Sequence, residues 1–438
     1  MLTRVLLKNF KLHAETEIQF APITVFIGPN NSGKSSVFQA LLALRQAAER
    51  NDAGLFRPSF AAPTGTLAIA AGGQQLHPQP IVELGAFEDV VRAGEAEIAI
   101  TFSGSVPVEQ ARRVQAAVDV DAEVHVLDNV ISFHGGHLGL PGSECAWRYG
   151  PTPPYYPSRI PIEDGFLIFQ PKHSFRFIEY GGVQSTGNLP PATQAEAMSF
   201  AQKLASAPTD FLRSLHPVFP LRGFEQWGYP LPDTAHVDVE KLTLAERAAA
   251  IVSIVAYNDA ALQRLSDWLE TLLGMRLKKR LLPPRRIAIR AEAAGLKGED
   301  TPFTSEGTGA NQMPFILLPI FLASPTDTIM ISEPEAHLHP KAQTDLTRLL
   351  LTIHKKENRQ FAIETHSEHV LHAFLHAVGS GELEKESLAI YYFENVNGVA
   401  KVRRLEVDEK GRVAGGLPGF FEHSLAELSE YLDALSRD

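Results

Sequence analysis

A largely apolar, β-branched run, Ile23–Ile27, leads directly into Gly28-Pro29-Asn30-Asn31-Ser32-Gly33-Lys34-Ser35, and an amphipathic segment follows at once. No other stretch constrains the fold as strongly. The octapeptide fits G-x-x-x-x-G-K-[ST] and stands where that pattern has meaning, after a buried strand and before a helix. Val37, Ala40, Leu41, Leu44 and Ala48 recur at helical spacing behind it. Glycines let backbone N–H groups curve around phosphates, and the helix N-terminus adds positive potential. In such a loop Lys34 reaches the β- and γ-phosphates, and the Ser35 hydroxyl, followed by Ser36, faces Mg²⁺. ATP and Mg²⁺ are therefore the expected ligands, with Gly28 to Ser36 as the phosphate-binding residues.

The rest of the chain alternates in the same style at its two ends. Val5–Asn9 and Glu17–Phe20 read as short strands. Residues 53–80 shift to Gly, Pro, Ala and Gln and read as a surface loop, before strand-like segments from Ile81 to Phe102. Leu242–Leu273 has a strong helical pattern with a break near Asn258–Asp259. After Thr301 come an apolar helix (Gln312–Leu322), a strand (Thr328–Ile331), a helix (Lys341–His354), a strand (Gln360–Ile363) and paired strands (Leu388–Phe393, Ala400–Val407). Alternating strands and helices imply an α/β core with parallel strands. We expect an N-terminal lobe over 1–103, a C-terminal lobe over 301–438, and between them a large α+β insertion (104–300), helical in part and suited to a dimer or partner interface.

Three further segments complete a pattern. "TIMISEPEAHLHP", Thr328 to Pro340, is an apolar strand followed by Glu333. P-loop enzymes carry a water-polarising carboxylate in this form, at the tip of a strand beside the P-loop strand. "TSEGTGANQMPFILL" sets Ser305, Gly307, Thr308 and Gly309 before an apolar helix, with small residues that permit close backbone approach to an anion. Taken alone, that stretch is only a turn before a helix. "FAIETHSEHV" ends a strand at Glu364-Thr365-His366.

Together and in this order, "FIGPNNSGKSS", "EGTGANQ", "SEPEAHLHP" and "IETHSEH" resemble an ABC-type P-loop ATPase of the RecF, SMC and OLD-like group. The resemblance covers residues 1–48 and 301–438. It implies an ABC-type ATPase head with a mixed sheet, and catalytic roles for Glu333, His366 and Lys34. Glu333 would polarise water, and His366 would be the switch histidine at the γ-phosphate. Ser305, Gly307, Thr308 and Gly309 would form the signature that covers the γ-phosphate held by a second subunit. Ser332 departs from the pattern, since the family has a Mg²⁺-directed acid there. Mg²⁺ would fall to Ser35 and Glu333, with Ser332 through a bound water and Glu335 as the nearest compensating carboxylate. One P-loop and one signature imply a head-to-tail homodimer around two ATPs. The family glutamine near the γ-phosphate has Gln74, Gln75 and the neighbourhood of Asp89 as candidates.

The chain ends at Asp438, too soon after His366 for the Toprim nuclease that follows many OLD-type ATPases. A stand-alone ATPase subunit serving a separate effector, a nuclease or toxin in phage defence, is the expectation. Two alternatives stay open: an ATP-dependent scaffold or sensor that does not hydrolyse, and a repair ATPase acting on DNA. The net charge of −11 argues against general nucleic-acid binding. However, Arg276, Lys278, Lys279, Arg280, Arg285, Arg286 and Arg290 fall in one stretch without an acid and could face nucleic-acid phosphates. The lone cysteine, Cys145, forms no disulfide framework. No membrane partner is expected, because no apolar run approaches about 18 residues, and the expected location is the cytoplasm. His369, His372 and His376 share a helix face, but no cysteine or carboxylate completes a metal set.

Overall fold

The computed structural model describes residues 1–50, 84, 87–109, 115–127, 130–140, 143–148, 158–162, 165–171, 178–185, 199, 202–203, 206–220, 222–231, 244–293 and 300–416. The chain opens with β1 (Leu2–Phe10), β2 (His13–Gln19) and β3 (Ile23–Ile27), then α1 (Lys34–Arg50) and the short α2 (Phe87–Val90). Next come β4 (Glu97–Glu109), β5 (Gln115–Leu127), β6 (Val130–Leu140), β7 (Ser143–Arg148), β8 (Ser158–Ile162), β9 (Gly165–Pro171) and β10 (Ile178–Ser185). β11 (Leu215–Val218) and β12 (Tyr229–Pro230) precede α3 (Leu244–Tyr257), α4 (Asp259–Leu273), β13 (Met275–Leu282), β14 (Arg286–Ala293) and β15 (Asp300–Pro302). The last part holds α5 (Thr308–Leu322), β16 (Thr328–Ser332), α6 (Pro340–Glu357), β17 (Gln360–Glu364), α7 (Glu368–Gly379), β18 (Leu388–Val396) and β19 (Val399–Leu405).

The central sheet has the order β11-β16-β17-β3-β18-β19, parallel throughout except for the β18–β19 hairpin. β3, buried at every residue, lies at its middle. A largely apolar run suits such a strand because both faces are covered. On one face, Phe26, Met330, Ala362 and Tyr391 pack with α1 and with the antiparallel sheet β2-β1-β4-β5-β6-β7. On the other, Val25, Ile331 and Ile363 pack with residues of α3, α4, α5, α6 and α7.

Local chemistry sets the helix ends. Asn258 accepts from the Ala261 N–H and starts α4, which is why the helical pattern breaks there. His339 and Pro340 open α6, and Asn358, at φ 51°, closes it. Ser367 caps α7 by accepting from Val370 N–H at 3.1 Å. β11, α3 and α4 all lie within 104–300, the stretch read from sequence as an insertion, and all three build the central sheet and its covering layer. Residues 53–80 and Gln74 and Gln75 lie outside the described residues. Among the described residues, no helix is long and apolar enough to cross a membrane.

Candidate nucleotide site

The loop after β3 is held by its neighbours more than by itself. A Cβ on Gly28, at φ 139°, would stand 2.1 Å from the Phe393 carbonyl oxygen of β18, so only glycine lets β18 approach this closely. Asn395 Nδ2 donates to Asn31 O at 3.0 Å. From the other side, buried His13 bonds Gly33 O through Nε2 at 3.0 Å and Thr16 Oγ1 through Nδ1 at 2.9 Å. A carbonyl only accepts, so Nε2 carries the proton and the Thr16 hydroxyl donates to Nδ1. Burial lowers the His13 pKa, against the opposing effect of the Gly33 bond, and this neutral tautomer is the stable one.

A cleft of about 770 Å³ opens over this loop, within the usual range for a small-molecule site. Asn30, Asn31, Ser32 and Gly33 line it from the loop, Lys34, Ser35 and Ser36 from the start of α1, and Glu333 and His366 from just past the ends of β16 and β17. Gly28 and Pro29 lie behind, where their carbonyls accept from Lys34 Nζ at 2.9 and 2.8 Å. Lys34 is thus folded onto the loop that would otherwise turn its N–H groups to phosphate. Burial lowers its pKa, opposed chiefly by Glu364, Glu333 and Glu335.

Strand order decides which carboxylate reaches Ser35. The expectation of a Glu333-bearing strand beside the P-loop strand is corrected here: β17 lies between β3 and β16. Ser332 is the register partner of Glu364, and the Ser35 hydroxyl donates to Glu364 Oε1. Glu364 is buried, and burial raises its pKa against the Ser35 bond and Lys34. Sequence reasoning identified Glu364 only as a strand end.

Glu333 itself sits at φ 48°, an uncommon conformation for a glutamate. Its N–H donates to Glu364 O at 2.8 Å. Arg222, also missed in the sequence, holds the same turn from the segment after β11, donating to the carbonyls of Ser332 (2.9 Å) and Glu333 (2.6 Å). Glu335 does not line the cleft; it turns back to accept the His366 N–H at 2.7 Å. His366 is half-buried, and burial, then Lys34, keep its pKa below the usual histidine value, against Glu333. A neutral imidazole retains one N–H to donate.

Ser305, Gly307, Thr308 and Gly309 are not on this cleft. Ser305, Gly307 and Thr308 are exposed at the N-terminus of α5, where Gly307 provides no side-chain cap. Gly309 is buried instead: a Cβ there would meet His337 O at 2.5 Å, so α5 packs directly on the loop after Glu333. Asp89, in α2, and Arg92, just after it, also line the cleft.

The basic stretch forms the β13–β14 hairpin. Arg276 faces Asp267 and Glu270, Lys278 faces Glu292, Lys279 faces Asp259, and Arg280 and Arg290 share Asp300. Arg286 donates to Gly228 O. Five of the seven basic residues thus face acids that the local sequence does not show.

A metal cage is not what the cleft offers: among the described residues no three or more His, Cys, Asp or Glu side chains group to hold a metal ion. Mg²⁺ usually takes one or two carboxylates, with substrate phosphates and water completing its shell. The Ser35 hydroxyl beside buried carboxylate oxygens, one of them the unpartnered Glu364 Oε2, fits that demand.

Comparison with known proteins bears on the fold and the family. The AAA ATPase domain family matches residues 1–102 and 244–371, and a protein family of unknown function, DUF3696, matches residues 383–430. None of the curated proteins matches the chain. Among solved structures, the SMC head domain from Thermotoga maritima is similar at 14% identity, covering 93% of this chain and 99% of that one, with a TM-score of 0.43. An SmcHead bound to the C-winged helix domain of ScpA gives 13%, 93%, 98% and 0.47, and an Smc head with an extended coiled coil bound to the C-terminal domain of ScpA, derived from Pyrococcus furiosus, gives 13%, 98%, 99% and 0.44.

Proposed function

The chain belongs to the AAA ATPase domain family, and from that premise we propose that it binds and hydrolyses ATP as an ABC-type head. One observation carries the reading: Lys34, Ser35, Glu333 and His366, drawn from three separate segments, line a single cleft. The P-loop N–H groups and the start of α1 bind the phosphates, and Lys34 leaves its loop carbonyls for the β- and γ-phosphates. Ser35 and Glu333 would hold Mg²⁺, whose charge offsets that of the phosphates when bound. Glu333 orients the attacking water and takes its proton. As the new oxygen–phosphorus bond forms, the bond between the γ-phosphorus and the β,γ-bridging oxygen breaks, leaving ADP and phosphate. His366 donates to the γ-phosphate and reports its departure.

The same geometry supports a second subunit. The exposed, uncapped start of α5 has the small residues and the N-terminal potential to cover a phosphate, yet it is not on its own chain's cleft. We read it as facing the cleft of a second copy, giving a head-to-tail homodimer around two ATPs. The resemblance in sequence further supports an effector on a separate chain, a nuclease or toxin in an OLD-like, phage-defence setting.

Steady-state Mg²⁺-ATP turnover of the wild type beside Lys34→Ala and Glu333→Gln tests the ATPase. Turnover lost in both variants is the expected result. Binding without turnover in the wild type would replace the motor with a nucleotide-gated scaffold, a reading that the serine at position 332 favours.

A further inference from the structure

Ser332 leaves the Mg²⁺ side of the proposed site without its usual acid, and the strand order offers a substitute. Glu364 lies on β17, the strand directly beside the P-loop strand. It is 3% exposed and lines the cleft. Oε1 is already engaged by the hydroxyl of Ser35, the side chain that loops of this pattern turn to Mg²⁺. Oε2 is buried without a hydrogen-bond partner. A buried carboxylate oxygen left unpaired costs free energy unless something arrives to bind it. Ser332 sits directly opposite in register, so a carboxylate lost from one strand tip is present on its neighbour. Glu335, the other acid of the Glu333 turn, also has an unpartnered Oε2, but its Oε1 accepts the His366 N–H and the residue is off the cleft.

We propose that Glu364 is the carboxylate through which this chain directs the divalent cation of the bound nucleotide, in place of the acid absent at Ser332. The proposal rests on the ATP reading above. It makes Glu364 a metal-site residue in the ternary complex, with Ser35 released from its carboxylate bond to share the ion. The P-loop then has a separate duty, binding phosphate, which does not need Glu364.

The test separates those duties with Mn²⁺ as the probe ion. ATP affinity in EDTA is measured by calorimetry, and Mn²⁺ affinity in the ATP complex by the electron paramagnetic resonance of free Mn²⁺. Glu364→Gln is expected to bind metal-free ATP like the wild type and to hold Mn²⁺ roughly 10- to 100-fold more weakly, the scale seen when groups that tune a metal site are removed. The exchange variant Ser332→Glu/Glu364→Ser, which moves the acid to its register partner, is expected to recover most of that affinity. It also serves if the single variant fails to fold. Unchanged Mn²⁺ affinity in Glu364→Gln overturns the proposal. So does an equal loss of ATP affinity with and without metal, which would make Glu364 a brace for the P-loop. A wild type that binds no ATP even with Mn²⁺ would instead overturn the ATP reading beneath it.

Discussion

Arg222 Nε donates to Gln312 Oε1 at 3.0 Å, and the same guanidinium donates to the carbonyls of Ser332 and Glu333. One half-buried side chain thus joins α5, which begins at the residues read from sequence as the signature, to the turn that carries Glu333. Gln312 adds a second link by donating to Ala336 O. Burial lowers the Arg222 pKa to about 10, opposed by Glu335 and Glu333, so the group remains charged at neutral pH. Arg222→Met leaves those carbonyls without their donor, and the expected loss is about 2 kcal/mol, in the range for losing hydrogen bonds from a charged group. Urea unfolding measures it. A loss under about 0.5 kcal/mol, typical of an exposed surface site, would mean that the turn holds itself.

Glycine 28 gives a contrast within one chain. Gly28→Ala places a methyl 2.1 Å from Phe393 O at a φ of 139°. β18 or the P-loop has to move, and we expect about 4 kcal/mol or more of destabilisation, beyond the ordinary range for single substitutions, with nucleotide binding lost. Gly274→Ala is the control. That residue ends α4 at φ 67° with open space around it, so only the backbone penalty of about 1 kcal/mol remains. Equal effects in thermal melts would show that the Gly28–Phe393 contact yields easily.

His13 predicts a pH dependence of stability. Its folded pKa lies below the ordinary value of about 6.5 because it is buried. As pH falls below the unfolded value, the unfolded chain takes up a proton that the folded chain refuses. Stability therefore drops with falling pH, until the folded pKa is passed and the penalty levels off. In His13→Gln the slope of unfolding free energy against pH is expected to be shallower below about 6.5, and unchanged above it. Parallel curves for the two proteins would mean that His13 titrates normally in the fold.

What the sequence made legible, and what it did not, follows the range of the interactions. The P-loop is readable because strand, loop and helix are adjacent in the chain, as are the turns at Ser332-Glu333 and Thr365-His366. Glu364 was visible as the end of a strand, but its task depends on β17 lying between β3 and β16, and strand order is not written in local periodicity. His13 and Arg222 were missed for a related reason. Each acts on a main-chain carbonyl far away in sequence, Gly33 for one and Ser332 and Glu333 for the other, and any residue type can supply that acceptor. The partners of the basic stretch were not legible either, because the acids that face Arg276, Lys278, Lys279, Arg280 and Arg290 come from α4, β14 and β15.

Glu335 offers the sharpest division between binding and chemistry. Its Oε1 accepts the backbone N–H of His366, while its own side chain stays off the cleft. Burial raises its pKa, against that bond and the Thr365 hydroxyl, and from the His366 bond we expect it to be a positioning residue for His366 in the proposed site. Glu335→Gln keeps an oxygen that can accept the same N–H, whereas Glu335→Ala keeps none. Because ATP is gripped mainly by the P-loop, Glu335→Ala is expected to lower kcat by about tenfold, worth about 1.4 kcal/mol, with KM changed by less than about twofold. Glu335→Gln should recover most of the rate. A KM that rises while kcat holds would mean that Glu335 supports nucleotide binding instead, and that His366 needs no help to stay in place.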